Sequence, residues 1–431
     1  MAFTFAVYTL GCKVNYYEST AISEALTENG LTECDFDSVC DVYIINTCAV
    51  TAESERKAGQ MIRRARKQNP SAFVAVTGCM AQISPERAAL AGADFVCGNR
   101  EKLLTVKAVL DFTKGNAPKE QVVRRSELCG APFEKMSIKR SDRTRAYMKV
   151  GDGCDSSCAY CVIKNARGPV RSKPLSDAIS EAKALIASGY REIVLTAIEI
   201  SAYGKDLGNT DLADLICSIG SLEGLERLRL GSVDPAILKE PFIKSIASCK
   251  TLAPHFHLSL QSGCDKTLRA MQRRYNTDMI KQGVSLIREY FPDAMLTADI
   301  IVGFPGETAE DFLTSAELIA SLGLLHAHIF TFSSRPGTKA ESMPDQVSKQ
   351  EKNRRSAQLT RLCNASRDAV LEKYIGRVLP VLFEEQKDGI CYGHTASFIE
   401  VALPHHRSLH GQTVNVRLLS NSNGVMLAEL V

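Results

Sequence analysis

The stretch YMKVGDGCDSSCAYC, residues 147–161, decides how this chain is read. Its first residues form a short apolar strand, and Cys154, Cys158 and Cys161 follow on a tight loop. Three thiolates at C-x3-C-x2-C spacing can wrap one face of a 4Fe-4S cluster. Full ligation takes four cysteines, so three leave one iron open to a small molecule. A zinc loop would need a fourth ligand close by, and neither His nor Cys follows Cys161 before Cys217.

Working outward, strands are expected at 147–150, 192–196, 227–230, 255–260, 295–302 and 326–332, with helices at 176–188, 212–219, 236–248, 266–290 and 309–322. Six β/α units in about 190 residues suit a partial (β/α)6 barrel, shorter than the usual eight units in roughly 250 residues. That reading puts the cysteine loop at the C-terminal mouth, where barrel active sites lie. The basic amphipathic stretch 350–374 closes the barrel off.

Upstream, apolar runs at 3–10, 41–45, 72–76 and 95–97 alternate with helical stretches at 18–29, 52–68, 85–91 and 100–112. This predicts a flavodoxin-like α/β domain with a parallel sheet of about four strands. Between Lys119 and Lys149 nine Lys/Arg face four Asp/Glu, which reads as a basic connector. After Gly376 short alternating segments separated by Gly, Asn, Asp and Pro predict a small antiparallel β-barrel of about 55 residues. The expected division is therefore α/β domain 1–115, linker 116–140, barrel 141–371 and tail 372–431.

A second cysteine set emerges from the N-terminal pattern. Cys12, Cys48 and Cys79 each directly follow an apolar run, in AVYTLGC, VYIINTC and AVTGC. All strands of a parallel sheet end on one edge, where open α/β folds bind their ligands, so the three thiols should converge. Gly11 and Gly78 let the backbone turn sharply and approach a bulky group closely. A second cluster with one open iron is the expectation. Cys97, at the end of the fourth strand, reads as packing, and the other eight cysteines show no ligand spacing.

Composition bounds the rest. The 431 residues carry 52 Lys/Arg against 49 Asp/Glu, a net charge of +3. Apolar runs fall far short of the roughly 20 residues that a membrane span needs. The N-terminus MAFTFAVYTLGCK reads as a first strand rather than a signal peptide, so a cytoplasmic location is expected. Fifteen cysteines in a reducing compartment point to metal or redox chemistry rather than disulfides.

The C-x3-C-x2-C loop, with Tyr160 directly before its third cysteine, resembles the radical S-adenosylmethionine superfamily. Both triplets in this order, followed by a β-barrel tail, resemble the methylthiotransferases. Supporting strings are ARGPVRS (166–172), RLRLGSVDP (227–235), HLSLQSGCDKTLRAMQRRY (257–275), DIIVGFPGET (299–308) and FSSRPGTKA (332–340). TLGCKVNYYES is most similar to the branch acting on N6-threonylcarbamoyladenosine of tRNA. The isopentenyladenosine branch more usually carries Gln–Met after that cysteine, and the ribosomal-protein branch Pro–Lys. The tail resembles the TRAM domain, an RNA-binding barrel. The chain departs from the family pattern at Gly151, Lys164, Asn165 and Ala197.

The resemblance implies two 4Fe-4S clusters, S-adenosylmethionine, tRNA and a low-potential electron donor such as a flavodoxin or ferredoxin. Cys12, Cys48 and Cys79 would hold the auxiliary cluster, and Cys154, Cys158 and Cys161 the one that splits S-adenosylmethionine to a radical. Adenine carbon 2 has no acidic proton and no leaving group, so sulfur insertion there needs such a radical. Tyr160, Glu199, Ser232, Gln261 and Asp299 are the expected cofactor contacts, Glu199 at the amino group. Arg143, Arg145, Arg273 and Arg274, in basic clusters near the site openings, are expected to meet RNA phosphates. Competing readings are a methylthiotransferase acting on isopentenyladenosine or a ribosomal protein, and, in another class, an iron–sulfur electron carrier or RNA-binding regulator.

Overall fold

The computed structural model describes the chain apart from residues 1–2, 117, 119, 140–143 and 406. The first unit is a six-stranded parallel sheet of β1 (Thr4–Thr9), β2 (Thr32–Glu33), β3 (Val42–Thr47), β4 (Phe73–Gly78), β5 (Phe95–Cys97) and β6 (Val122–Arg124). Its order β2-β1-β3-β4-β5-β6 begins as the flavodoxin-like 2-1-3-4-5. Two strands exceed expectation. β2 is too short to leave a sequence pattern, and β6 lies in the segment read as linker yet pairs in parallel with β5.

Both faces of this sheet are covered, which is why β3 and β4 are buried at every position. Tyr43, Ile45, Val74 and Val76 meet Ala58, Ile62 and Ala65 of α2 (Ala52–Gln68). Val42, Ile44, Phe73 and Ala75 meet Ile22 and Leu26 of α1 (Lys13–Glu28), together with the helix Leu103–Thr113. α1 starts five residues before the expected 18, immediately after Cys12. No Ser, Thr, Asp or Asn stands at that cap to announce it.

The second unit begins at β7 (Ala146–Lys149). β8 (Gly151–Asp152) and β9 (Arg171–Ser172) then pair antiparallel and bracket the cysteine loop. β10 (Glu192–Thr196), β11 (Arg227–Leu230), β12 (Ser232–Val233), β13 (His255–Gln261), β14 (Met295–Val302) and β15 (His326–Thr331) complete it. Two parallel sheets, β11-β10-β7 and β12-β13-β14-β15, meet where β11 and β12 are separated by Gly231 alone. Six strand positions thus form an open partial barrel, as expected. Leu296, Ala298, Ile300 and Val302 join the helix-facing core, while Thr297, Asp299 and Ile301 alternate with them and face inward. Tyr17 and Ala21 of α1 belong to that same core, so the two units share packing.

The tail is a closed barrel of β16 (Val378–Lys387), β17 (Ile390–Thr395), β18 (Glu400–Pro404), β19 (Thr413–Ser422) and β20 (Val425–Leu430). It is not wholly antiparallel, because β18 and β20 pair in parallel to close it. The 395–399 turn plugs the inner end of the large barrel. The Phe398 ring stacks on His255 and His394 at 4.5 and 4.7 Å, with the guanidiniums of Arg145 and Arg229 within 5.2 Å. Phe398 holds a φ of 74° to reach this place, a conformation that disfavours a bulky side chain.

Candidate active site between two cysteine triplets

Cys12, Cys48 and Cys79 stand at the ends of three adjacent strands, β1, β3 and β4. Register carries them there: Thr9 is opposite Asn46, and Thr47 is opposite Gly78. Cys12 caps α1, and Cys79 opens α3 (Cys79–Ile83). A Cβ on Gly11 would lie 2.9 Å from the Cys48 Cβ, and one on Gly78 2.3 Å from the Thr47 carbonyl oxygen. Both glycines hold φ near +100°, so they permit both the turn and the crowding. Burial pushes the Cys48 thiol up to about 12, with Cys79 and Cys12 close enough to add to the effect.

The barrel triplet is built locally. Gly153 holds a φ of 73°, and a Cβ there would lie 1.9 Å from the Pro169 carbonyl oxygen. Cys154 N–H donates to Gly168 O at 3.0 Å, and Ala159 N–H donates to Met271 O at 3.0 Å. Burial pushes the Cys161 thiol up to about 12, with Cys158 and Cys154 contributing. All three cysteines are partly accessible.

The two triplets adjoin. Ala49 and Cys79 form one apolar cluster with Val162 and Ala166, which lie just beyond Cys161. Asn99 Nδ2 donates to Ala166 O at 2.8 Å. Cys12 itself is exposed.

Known proteins decide the family. The radical SAM superfamily model matches residues 148–319, and that of the uncharacterized protein family UPF0004 matches residues 4–98. A Thermotoga maritima protein named threonylcarbamoyladenosine tRNA methylthiotransferase MtaB is 37% identical over 419 residues, covering 97% of this chain and 95% of its own. Its Bacillus subtilis namesake is 34% identical over 425 residues, covering 96% and 94%. The chain belongs to the radical S-adenosylmethionine tRNA methylthiotransferases. An Acetivibrio thermocellus protein named tRNA-2-methylthio-N(6)-dimethylallyladenosine synthase is 32% identical over 426 residues, covering 96% and 88%. Among solved structures, the radical S-adenosylmethionine methyltransferase TsrM of Kitasatospora setae shares the fold, with a TM-score of 0.58 at 16% identity over 79% of this chain and 77% of its own.

Radical S-adenosylmethionine methylthiotransferases carry two 4Fe-4S clusters and use S-adenosylmethionine. The residues present fit that equipment. Among the described residues no three His, Cys, Asp or Glu side chains close on a point that one metal ion could occupy. A cluster instead spreads its thiolates over separate irons. Charge also fits. Beside the N-terminal triplet lies a buried group of four cations, Lys102, Lys149, Arg167 and Arg171, against two carboxylates, Glu18 and Asp152. Arg167 opposes the burial effect on the Cys12 thiol and also feels Cys79. Excess positive charge in that position suits a thiolate-ligated, anionic group.

This network has no local sequence signature. Arg167 is fully buried; it reaches Glu18 at 2.7 Å, Asp152 at 3.1 Å and Asn15 Oδ1 at 2.5 Å. Lys149 reaches Glu18 and Asp152 at 2.7 Å each, and Lys102 meets Glu18 at 2.7 Å. Glu18 and Asn15 sit on α1, while Asp152 and Arg167 flank the barrel triplet, so the network fixes one cysteine set against the other. Tyr17 to Glu181, at 2.8 Å, and Glu55 to Arg335 add further ties between the units.

The expected cofactor contacts divide. Glu199 is half-buried, accepts from Ser201 N–H at 3.2 Å and lies near Cys154, whose thiol feels its charge. Burial and Asp234 push the Glu199 carboxyl up. Ser232 is exposed at the mouth, and Gln261 ends β13 with a φ of 60°. The Tyr160 ring meets Phe304 edge-on at 6.3 Å. Asp299 lies midway along β14, deeper than the mouth, and its carboxylate is held by His257 at 3.1 Å.

The expected RNA contacts fare differently. Arg273 is turned inward: it bonds Asp234 at 2.7 Å, Tyr275 Oη at 3.0 Å and the Cys158 sulfur at 3.1 Å. Arg145 is committed to Glu384 of the tail at 2.6 Å. Both guanidiniums are thus already paired with carboxylates, Asp234 and Glu384. Arg274 is exposed, and Arg143 lies outside the described residues. Cys97 packs in the sheet core as expected.

Proposed function

We propose that this protein adds a methylthio group to carbon 2 of N6-threonylcarbamoyladenosine beside the anticodon of tRNA, consuming two molecules of S-adenosylmethionine. The observation that carries this reading is the junction of the two triplets through Ala49, Cys79, Val162 and Ala166, as expected if a radical source and a sulfur donor serve one substrate. The choice of nucleoside leans on relatives named for threonylcarbamoyladenosine at 34–37% identity.

Cys154, Cys158 and Cys161 would hold the cluster that cleaves S-adenosylmethionine, and Cys12, Cys48 and Cys79 the one whose open iron carries the sulfur. The protein's own task is ligation, orientation and exclusion of water. Glu199, Ser232 and Gln261 surround the mouth and orient S-adenosylmethionine, with Tyr160 as an apolar wall. The Arg167 network holds the two cysteine sets in register. A flavodoxin or ferredoxin in the cytoplasm supplies electrons.

Nucleoside analysis of tRNA from a deletion strain tests the reading. The methylthio nucleoside should vanish while threonylcarbamoyladenosine accumulates. Unchanged nucleosides, or loss of methylthio-isopentenyladenosine instead, would reject it.

A further inference from the structure

Lys13 directly follows Cys12 and extends over the Tyr147 ring, with Nζ 5.9 Å from the centroid. It is reached by solvent, yet barrel residues surround it: Arg145, Arg229, His255, Asp299 and His328 all exchange charge effects with it. The neighbouring charges are matched elsewhere. Arg229 is bound to Glu192 and Arg145 to Glu384, while Asp299 lies 3.1 Å from His257 and is near enough to favour the Lys13 ammonium without pairing with it. Among the described residues no carboxylate closes on Lys13. A lysine beside two arginines, with no carboxylate within ion-pair distance, is poorly placed for stability alone. It is well placed to meet an anion that enters from outside.

The nucleoside proposed above carries such an anion. Its threonyl carboxylate hangs from N6, on the same six-membered ring whose carbon 2 takes the sulfur, so sulfur donor and carboxylate receptor must lie close together. Lys13 and Cys12 are adjacent in sequence and both exposed. We propose that Lys13 determines substrate specificity by pairing its ammonium with the threonyl carboxylate of N6-threonylcarbamoyladenosine. This inference rests on the proposed substrate. Adenosine and its N6-alkyl derivatives lack the carboxylate and would leave the ammonium unanswered, so the same residue favours one nucleoside and penalises the others.

The test measures binding by the full chain of two synthetic anticodon hairpins, alike except that one carries N6-threonylcarbamoyladenosine and the other adenosine. Wild type should prefer the modified hairpin by about tenfold, the order expected of one hydrogen-bonded ion pair. Lys13→Met should bind both hairpins equally, with unchanged affinity for the adenosine hairpin, and Lys13→Arg should keep most of the preference. The unchanged adenosine hairpin doubles as a check that Lys13→Met is folded. A Lys13→Met chain that still prefers the modified hairpin overturns the proposal. Equal weakening on both hairpins also overturns it, because it assigns Lys13 to backbone phosphate. Failure of the substrate reading shows separately, before any substitution: wild type would then modify isopentenyladenosine hairpins and not distinguish the two used here.

Discussion

The two cysteine triplets are assembled in different ways. Cys154, Cys158 and Cys161 lie on one loop closed by β8 and β9, held by Gly153 and by backbone bonds to Gly168 and Met271. Cys12, Cys48 and Cys79 meet only when β1, β3 and β4 have paired in register. The first site is a property of a loop, and the second is a property of a fold. The buried charges follow the same division: a single guanidinium on Cys158, but a six-member network beside the N-terminal set.

Replacing all three cysteines of one set gives the largest contrast. With Cys154, Cys158 and Cys161 changed to Ala, the proposed assignment of three thiolates to each cluster requires about half the iron to vanish together with all 5′-deoxyadenosine formation. With Cys12, Cys48 and Cys79 changed, the other half of the iron should go, while S-adenosylmethionine cleavage continues. Iron and sulfide counting on anaerobic protein, with chromatography of the nucleoside, reads both. If either set changed alone removes all the iron, the sites are not independent.

Arg167→Met probes the fold-dependent site. It strips Glu18 and Asp152 of a buried partner, and breaking a buried pair costs about 3–5 kcal/mol. Urea unfolding should show that loss. On reconstitution, the N-terminal site should lose iron before the barrel site does. Equal losses would mean that the network braces the whole molecule rather than one cysteine set.

Arg273→Gln gives a smaller effect, confined to the other site. Its guanidinium lies 3.1 Å from the Cys158 sulfur, and hydrogen bonds to cluster sulfurs help set the potential. Removing a positive donor should lower the midpoint potential of the barrel cluster and leave the N-terminal one unchanged. Electron paramagnetic resonance during a redox titration distinguishes the two.

The grouping of the six cysteines was legible because each sits where sequence speaks most plainly, either in a tight spacing or directly after an apolar run. Strands β10 and β14 coincide with their expected bounds because buried parallel strands are largely apolar runs, and β11 does so through its alternating Arg-Leu-Arg-Leu. What escaped notice depends on contacts far apart in the chain. Glu18 and Arg167 are 149 residues apart, and neither residue's neighbourhood announces the other. Arg273 sits in the string RRY and reads as a basic patch, but charge in a sequence does not reveal which way the side chain turns. β6 was hidden for a different reason: three residues added at a sheet edge, two of them exposed, carry almost no periodicity.

The smallest predicted effect concerns Glu134, in the segment that joins the two regions. Its carboxylate accepts from Leu103 N–H at 3.1 Å and lies near Lys149 and Lys102. Burial nevertheless outweighs those cations and raises its pKa to about 7. The unfolded chain releases this proton near the ordinary carboxylate value, so between about pH 4.5 and 7 the folded protein holds a proton that the unfolded one lacks. Its contribution is fully present below that window and is lost as pH rises through 7. One proton sets the limit, at most about 1.4 kcal/mol per pH unit. Glu134→Gln should flatten the urea midpoint across that window while leaving both iron contents intact. If the wild-type slope survives in Glu134→Gln, another group in the interface titrates there, and the linker segment plays no part in coupling the two triplets to pH.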